Sequence, residues 1–329
     1  YSKLGLPRTS PQTTFQQEWV QNRCLFRSTL AIITPLFSMQ PSAACYYGAM
    51  TETHQGEVGR YIRYEVVDRV ARVTVDRPEY RNAQSRLLLE ELDEAFMSAA
   101  HDPEVNVICL FGAGDHFSAG HDLGTPDELA DRTERPWEAG IRGWYDRTWE
   151  QFYANTKRWR EISKPTVAAV QGYCIFGGWM IASAMDVIFA STNAMFLGSH
   201  FQYFCMPWDL HPRKVKELLF ESRFIDADEA CELGLVNRVL PVADLVTYTT
   251  EWAQGVAKND PFQLRMMKMA VNHAEETQGF TAHTQAAHSM YVLARMGEKD
   301  PGSYIQQTDE KRRPMVEVAL QNYQRRNSS

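Results

Sequence analysis

The stretch KPTVAAVQGYCIFGGWMIASAMDVIFAS, residues 164–191, decides the fold. Its first part, 164–170, is a short apolar run with Pro165 at its mouth, which predicts a buried strand. Gly177 and Gly178 stand where that strand gives way to a helix, and DVIFAS (186–191) reads as the next strand. A strand, a helix opened by glycines and a further strand, closely connected, are the unit of an α/β layer structure. Glycines at such a helix start free backbone N–H groups to hold something negative.

Working outward, the same alternation continues. In VARVTVDRP, Ala71, Val73 and Val75 alternate with Arg72, Thr74 and Asp76, the pattern of a strand with one wet face. SRLLLEELDEAFMSAAHD (85–102) repeats apolar residues at helical spacing, with Ser85 placed to cap it. VNVICLF (105–111) is a further buried strand, closed by GAGD. Downstream, Asp226 and Glu229 have capping-box spacing, Gly234 ends that helix, and VNRVL follows as a strand. Beyond it the chain reads as helices: Asp260-Pro261 starts one that runs to Glu276, and 281–296 forms another.

Composition bounds the function. A net charge of −7 argues against a general nucleic-acid binder. No run reaches the roughly 18 apolar residues of a membrane span. The six cysteines show no paired spacing, as expected of free thiols in a reducing compartment. Residues 1–49 carry Lys3, Arg8, Arg23 and Arg27 against Glu18 alone, with many Ser, Thr and Gln. They read as a transit-peptide-like or non-native extension, and Met50 would make a natural start. The expected location is cytoplasmic, or an organelle if that leader is native.

A second glycine site, HFSAGHDL (116–123), follows the 105–111 strand. Each site sets main-chain N–H groups at a strand's carboxyl end, where open α/β sheets bind ligands. Two such groups converging on one carbonyl oxygen would form an oxyanion hole, worth about 3 kcal/mol per donor.

DRPEYRNAQS (76–85), FSAGHDL (117–123), KPTVAAVQGYCIFGG (164–178), DVIFAS (186–191) and DADEACELGLVNRVLP (226–241), in that order, carry a resemblance to the crotonase (enoyl-CoA hydratase/isomerase) superfamily. It runs from about Tyr64 to Ala270. GHDL, ERPWEAGI, KRWREISKPT and PWDLHPRKVKELLF further resemble a subgroup commonly labelled enoyl-CoA hydratase. The resemblance implies an α/β, crotonase-like spiral of ββα units over 60–255, a helical trimerisation region over 256–329, and an extension over 1–59. It implies homo-trimers or dimers of trimers and an acyl-CoA thioester substrate. No metal or separate cofactor is expected, coenzyme A being part of the substrate. The N–H groups of His121 and Gly177 would polarise the thioester carbonyl, and the enolate so stabilised is the expected intermediate.

Family hydratases place two glutamates about the substrate. Met180 stands at the first position, and Ser199-His200 align with the second. Adding water needs one group to activate water and one to supply the α-proton, and methionine does neither. The candidate replacements are His200, which can titrate near neutrality, Tyr145 and Glu150 in the insert 124–159, and Asp209 after Trp208. Asp122 is expected to fix a loop and Asp186 to start its strand. Isomerisation, decarboxylation, thioester or C–C hydrolysis, and a catalytically silent acyl-CoA binder remain as alternatives. Phe176, Trp179, Met180 and Trp208 are either a bulky apolar pocket lining or ordinary core; as a lining they favour a hydrophobic acyl group. By the resemblance, Arg77, Arg81, Ala119 and Lys268 are the expected coenzyme A contacts, with solvated surface charge the alternative for the three cations.

Overall fold

Alternation along the central strands puts successive side chains into two different layers. In the strand β4, Val107–Gly112, Ile108 and Leu110 enter one apolar cluster while Val107, Cys109 and Phe111 enter another on the opposite face. β5, Thr166–Val170, divides the same way, with Ala168 and Val170 against Val167 and Ala169. Both strands are buried on both faces, so they read as continuous apolar runs. In β3, Val70–Val75, the residues Ala71, Val73 and Val75 face the larger cluster together, as their spacing predicts. Each buried Val, Ile, Leu or Phe among them contributes about 1.5–3 kcal/mol, and each alanine methyl about 0.8 kcal/mol.

The computed structural model describes residues 56–57, 59–198, 201–296 and 314–328, all within the unit His54–Ser329. The expected extension over 1–49 lies outside the described residues, and so does His200. With β1 (Gly56–Glu57), β2 (Ile62–Val67), β7 (Val187–Ser191) and β10 (Arg238–Leu240), the strands above form a seven-stranded sheet in the order β1-β2-β3-β4-β5-β7-β10. Pairing is antiparallel from β1 to β3 and parallel from β3 onward. A second sheet joins β6 (Tyr173–Ile175), β8 (Met195–Leu197) and β9 (Ile225–Asp226) in the order β6-β8-β9.

Helix α1, Arg86–His101, covers one face of the large sheet with Leu88, Leu92, Ala95, Phe96 and Ala99, and Ser85 caps it through Leu88 N. The helix Leu245–Ala257 covers the other face with Leu245, Ala253 and Ala257. Asp226 caps its helix by accepting from Glu229 N, but the expected reciprocal bond is absent. The Glu229 carboxylate pairs instead with Arg223, at 2.6 Å. Arg223 is 1% exposed in its side chain, and a buried guanidinium needs a carboxylate more than a backbone amide does. Asp260 caps the helix Pro261–Thr277, with proline at its first turn. The helices Phe280–Met296 and Pro314–Asn327 complete the helical C-terminal region. The insert 124–159 is itself helical: Pro126–Glu134, Gly140–Thr148, a π-helix over Trp149–Ala154, and the start of Asn155–Arg160. Among the described residues Cys109, Cys174, Cys205 and Cys231 are free thiols, and no helix is long and apolar enough to cross a membrane.

Candidate active site

Three sequence segments are stitched side by side. Ser118 N donates to Tyr173 O, and Ile175 N returns to Ser118 O. On the other side Gln84 N donates to Gly120 O, and Asp122 N to Gln84 O. His121 therefore sits in a parallel bridge opposite Gln84. Alternation turns its own N–H away from the Gln84 segment. Asn82 (φ 54°) locks the first segment, its carboxamide donating to Ala113 O and His116 O and accepting from Arg77 N.

Gly177 opens the helix Gly177–Ser183 (α5, counting the helices Pro126–Glu134, Gly140–Thr148 and Asn155–Arg160 as α2 to α4), so its N–H has no acceptor within that helix. Phe176, which precedes it, has φ 48° and ψ −103°, a sparsely populated conformation for a residue with a Cβ. Such a residue costs about 1–3 kcal/mol and clusters at functional sites. Phe176 is held there by Phe176 N donating to Leu197 O and Met180 N donating to Phe176 O. Among the described residues, neither the His121 nor the Gly177 amide donates to any acceptor.

The glycines are required by contact. A Cβ on Gly120 would lie 2.6 Å from Ile175 O and 3.2 Å from Gly177 N. One on Gly178 would lie 2.7 Å from Ser118 O. One on Gly177 would lie 2.5 Å from Gln84 Oε1 and 2.7 Å from His121 Cε1. These contacts put both glycine sites, the His121 ring and the Gln84 side chain in one place.

The ring of His121 is stacked on Phe152 of the π-helix, centroids 3.7 Å apart. Nε2 lies 3.2 Å from Gln202 Oε1, and among the described residues Nδ1 is buried without a partner. Burial pushes the His121 pKa down to about 4, and the Arg147 charge adds to it. The ring is therefore neutral at physiological pH. Gln84 is oriented by logic: Ser118 Oγ gives its one proton to Asn82 O, at 2.8 Å, and accepts from Gln84 Nε2, at 3.1 Å. Gln84 Oε1 must then face Gly177, where it too is buried and unpartnered.

Asp122 fixes the loop, as expected. It accepts from Gly124 N and Thr125 N and pairs with Arg77 at 2.6 Å, both side chains essentially unexposed. Burial opposes its charge, but hydrogen bonds from Thr125 and Arg77 prevail and hold the carboxyl below the ordinary range.

The remaining sequence candidates are dispersed. Arg77 is fully buried; its guanidinium is taken up by Asp122, Ala83 O and Thr125, so it is not the solvent-facing phosphate contact expected of it. Lys268 is committed to Asp186, at 2.8 Å, and to Lys164 O, which ties its helix to the sheet rather than leaving the ammonium free. Ala119 spends its amide on Arg81 O. Arg81 (φ 53°) keeps an exposed side chain with no partner among the described residues.

Tyr145 stacks on Trp149 and meets His288 edge-on, within an aromatic group that includes Tyr153. Glu150 is exposed. The expected lining divides: Trp179 and Met180 are core, with Trp208 packed against the same cluster, whereas Phe176 packs with Ile175, Leu197 and Phe224. Trp208 donates to His283 Nδ1 at 3.0 Å. Asp209 has a buried Oδ2 with no well-formed hydrogen bond; Ser183 and Cys205 lie against it, and burial raises its pKa to about 6. Gln84, Gln202 and Phe152 are site residues that residue-by-residue reading does not single out, although Gln84 lies within the quoted 76–85 motif.

Comparison with known proteins matches this architecture to one family. The family model described as Enoyl-CoA hydratase/isomerase covers residues 65–316. The Mycobacterium tuberculosis protein EchA13, which carries an enoyl-CoA hydratase name, is 38% identical over 265 residues, covering 74% of this chain and 83% of its own. A solved Mycobacterium smegmatis structure titled as an enoyl-CoA hydratase is 40% identical, covers 71% of this chain and 93% of its own, and superposes with a TM-score of 0.66. An enoyl-CoA hydratase/isomerase structure from Xanthobacter autotrophicus Py2 is 31% identical, covers 71% and 87%, and gives 0.65. With two glycine-marked strand ends joined at one point of an α/β core, and matches spanning that whole core, the chain belongs to the enoyl-CoA hydratase/isomerase family, the crotonase superfamily.

Proposed function

We propose that this protein is an enoyl-CoA hydratase-type enzyme. It binds an acyl-CoA thioester with the carbonyl oxygen between the His121 and Gly177 amides and stabilises the enolate there. The observation that carries this reading is the pair of adjacent, unshared N–H groups, one of them at a helix N-terminus. Met180 is buried in the core at the position where family hydratases carry a glutamate, so the acid/base work falls to other groups. His121 is the first: a neutral imidazole with a free Nδ1 beside Gly177 can accept a proton from water as that water attacks the β-carbon, and as imidazolium return it to the α-carbon of the enolate, which completes the addition. Arg81 is exposed and unshared, which suits a phosphate of coenzyme A. Exposed Phe262, Met267, Val271, Met290 and Leu293 on the two long C-terminal helices support self-association, read by light scattering.

The test is hydration of a crotonyl-type thioester by the wild type and by His121→Ala, which keeps the amide and removes the ring. A loss of about 10²-fold or more in kcat is expected from removing a general base; unchanged turnover would eliminate the imidazole from the reaction.

A second reading has its own observation. Asp209, with a pKa near 6 and an unpartnered Oδ2, lies against Ser183 at the far end of α5. Six residues of helix put that end about 9 Å from Gly177. Proton transfer along the chain, as in double-bond isomerisation, would use it. Loss of isomerisation with retained hydration in Asp209→Asn supports this reading; retention of both excludes it.

A further inference from the structure

The His121 ring is held at one nitrogen by a residue that carries no charge. Gln202 Nε2 donates to the Tyr291 hydroxyl at 3.0 Å, so the carboxamide oxygen is the end left for His121 Nε2, at 3.2 Å. An oxygen acceptor there requires the proton on Nε2. Phe152 stacks on the ring and fixes its plane, which leaves Nδ1 as the unprotonated nitrogen, buried and turned to Gly177. Gln202 is itself buried, 4% exposed.

We infer that Gln202 is a positioning residue: anchored on Tyr291, its carboxamide locks His121 in the Nε2–H tautomer and so presents the Nδ1 lone pair at the acyl-oxygen site. Its consequence for catalysis rests on the amide-pair reading above. A glutamine does this without charge. A carboxylate in its place would draw a second proton onto the ring and close the lone pair that the site offers. The one charge that bears on the ring among the described residues, Arg147, acts with burial against a second proton, and together they outweigh the opposite pull of the Gln202 hydrogen bond. Arg147 is itself paired with Glu128 at 3.3 Å and bonded to Gln151, and the Tyr291 hydroxyl accepts from Gln202. With Gln84 Oε1 as a neighbouring acceptor, the site then has two backbone donors for an oxygen and two acceptors for a proton-bearing reactant such as water.

The experiment is nitrogen-15 NMR of the histidine rings in the full chain, comparing wild type, Gln202→Leu and Gln202→Glu. In the wild type, His121 should show a protonated Nε2 and an unprotonated Nδ1 that stay unchanged from pH 8 down to 5. Gln202→Leu should mix the two tautomers. Gln202→Glu, nearly isosteric, should raise the pKa of the ring by about 1–3 units and move the acid limb of the activity profile up with it. The His288 signals report whether the fold is intact. A wild-type Nδ1–H ring, or a Gln202→Glu ring with unchanged titration, overturns the inference. Absence of acyl-CoA turnover in a wild type that shows the expected tautomer would instead refute the proposed function and leave the positioning intact.

Discussion

Replacing Arg77 with methionine should cost the protein about 3–5 kcal/mol. Arg77 is buried and reaches Asp122 at 2.6 Å, Thr125 Oγ1 at 2.7 Å and Ala83 O at 2.9 Å, with Tyr80 and Tyr61 over its guanidinium. Methionine keeps much of the stem and removes every one of those donors. Asp122 is then a buried carboxylate without its cation, the situation that breaking one side of a buried pair creates. For a chain of this size each kcal/mol moves the melting temperature by about 2–4 °C, so a fall of about 6–20 °C is expected in a thermal melt. Because Asp122 N holds Gln84 O one residue beyond His121, activity should fall more than coenzyme A affinity. Asp122→Leu alone should cost a similar amount, and the double variant less than the sum of the two, since no uncompensated charge remains. A loss under about 1 kcal/mol for Arg77→Met, or strict additivity in the double variant, would show that the buried Arg77–Asp122 pair does not hold this loop.

Three further outcomes are expected. Gly177→Ala drives a methyl to 2.5 Å from Gln84 Oε1 and 2.7 Å from the His121 ring, which Phe152 backs, so it should cost about 1–3 kcal/mol and abolish most turnover; steady-state kinetics with an unchanged KM and kcat would contradict it. His121 and His288 both have pKa values pushed from 6.5 to about 4, mainly by burial. Their neutral forms are favoured in the fold, so their stabilisation is full above pH 6.5 and is lost as pH falls toward 4, on the order of 3 kcal/mol per group. Urea titrations across that range check this, and His288→Gln should flatten the slope. Arg81→Met should leave the melting temperature within about 1 °C and weaken coenzyme A binding by calorimetry, the reverse of Arg77→Met.

The layers were legible in the sequence because they rest on local periodicity. Ala71, Val73 and Val75, and the Ser85 and Asp260 caps, need only neighbours a few residues away. What could not be read is long-range. Arg77 and Arg81 look alike in RPEYRNA, and only the folded position of Asp122, 45 residues on, makes the first a core residue and leaves the second at the surface. The Glu229 carboxylate left its capping box for Arg223, only six residues away, because the fold buries that arginine, and its burial is what no local spacing shows. Gln202 meets His121 across 81 residues, and no local pattern marks a glutamine for that task. The π-helix that brings Phe152 onto His121 follows an ordinary helical register in the sequence, so the site's aromatic cover was not visible from spacing.

A crystal structure with a bound acyl-CoA shows where the thioester oxygen sits. The thioester oxygen is predicted within about 3.2 Å of both the His121 and the Gly177 amide nitrogens, with His121 Nδ1 facing the acyl chain. An acyl-CoA whose carbonyl lies away from those two amides, or amides found bonded to protein acceptors in the complex, would contradict it.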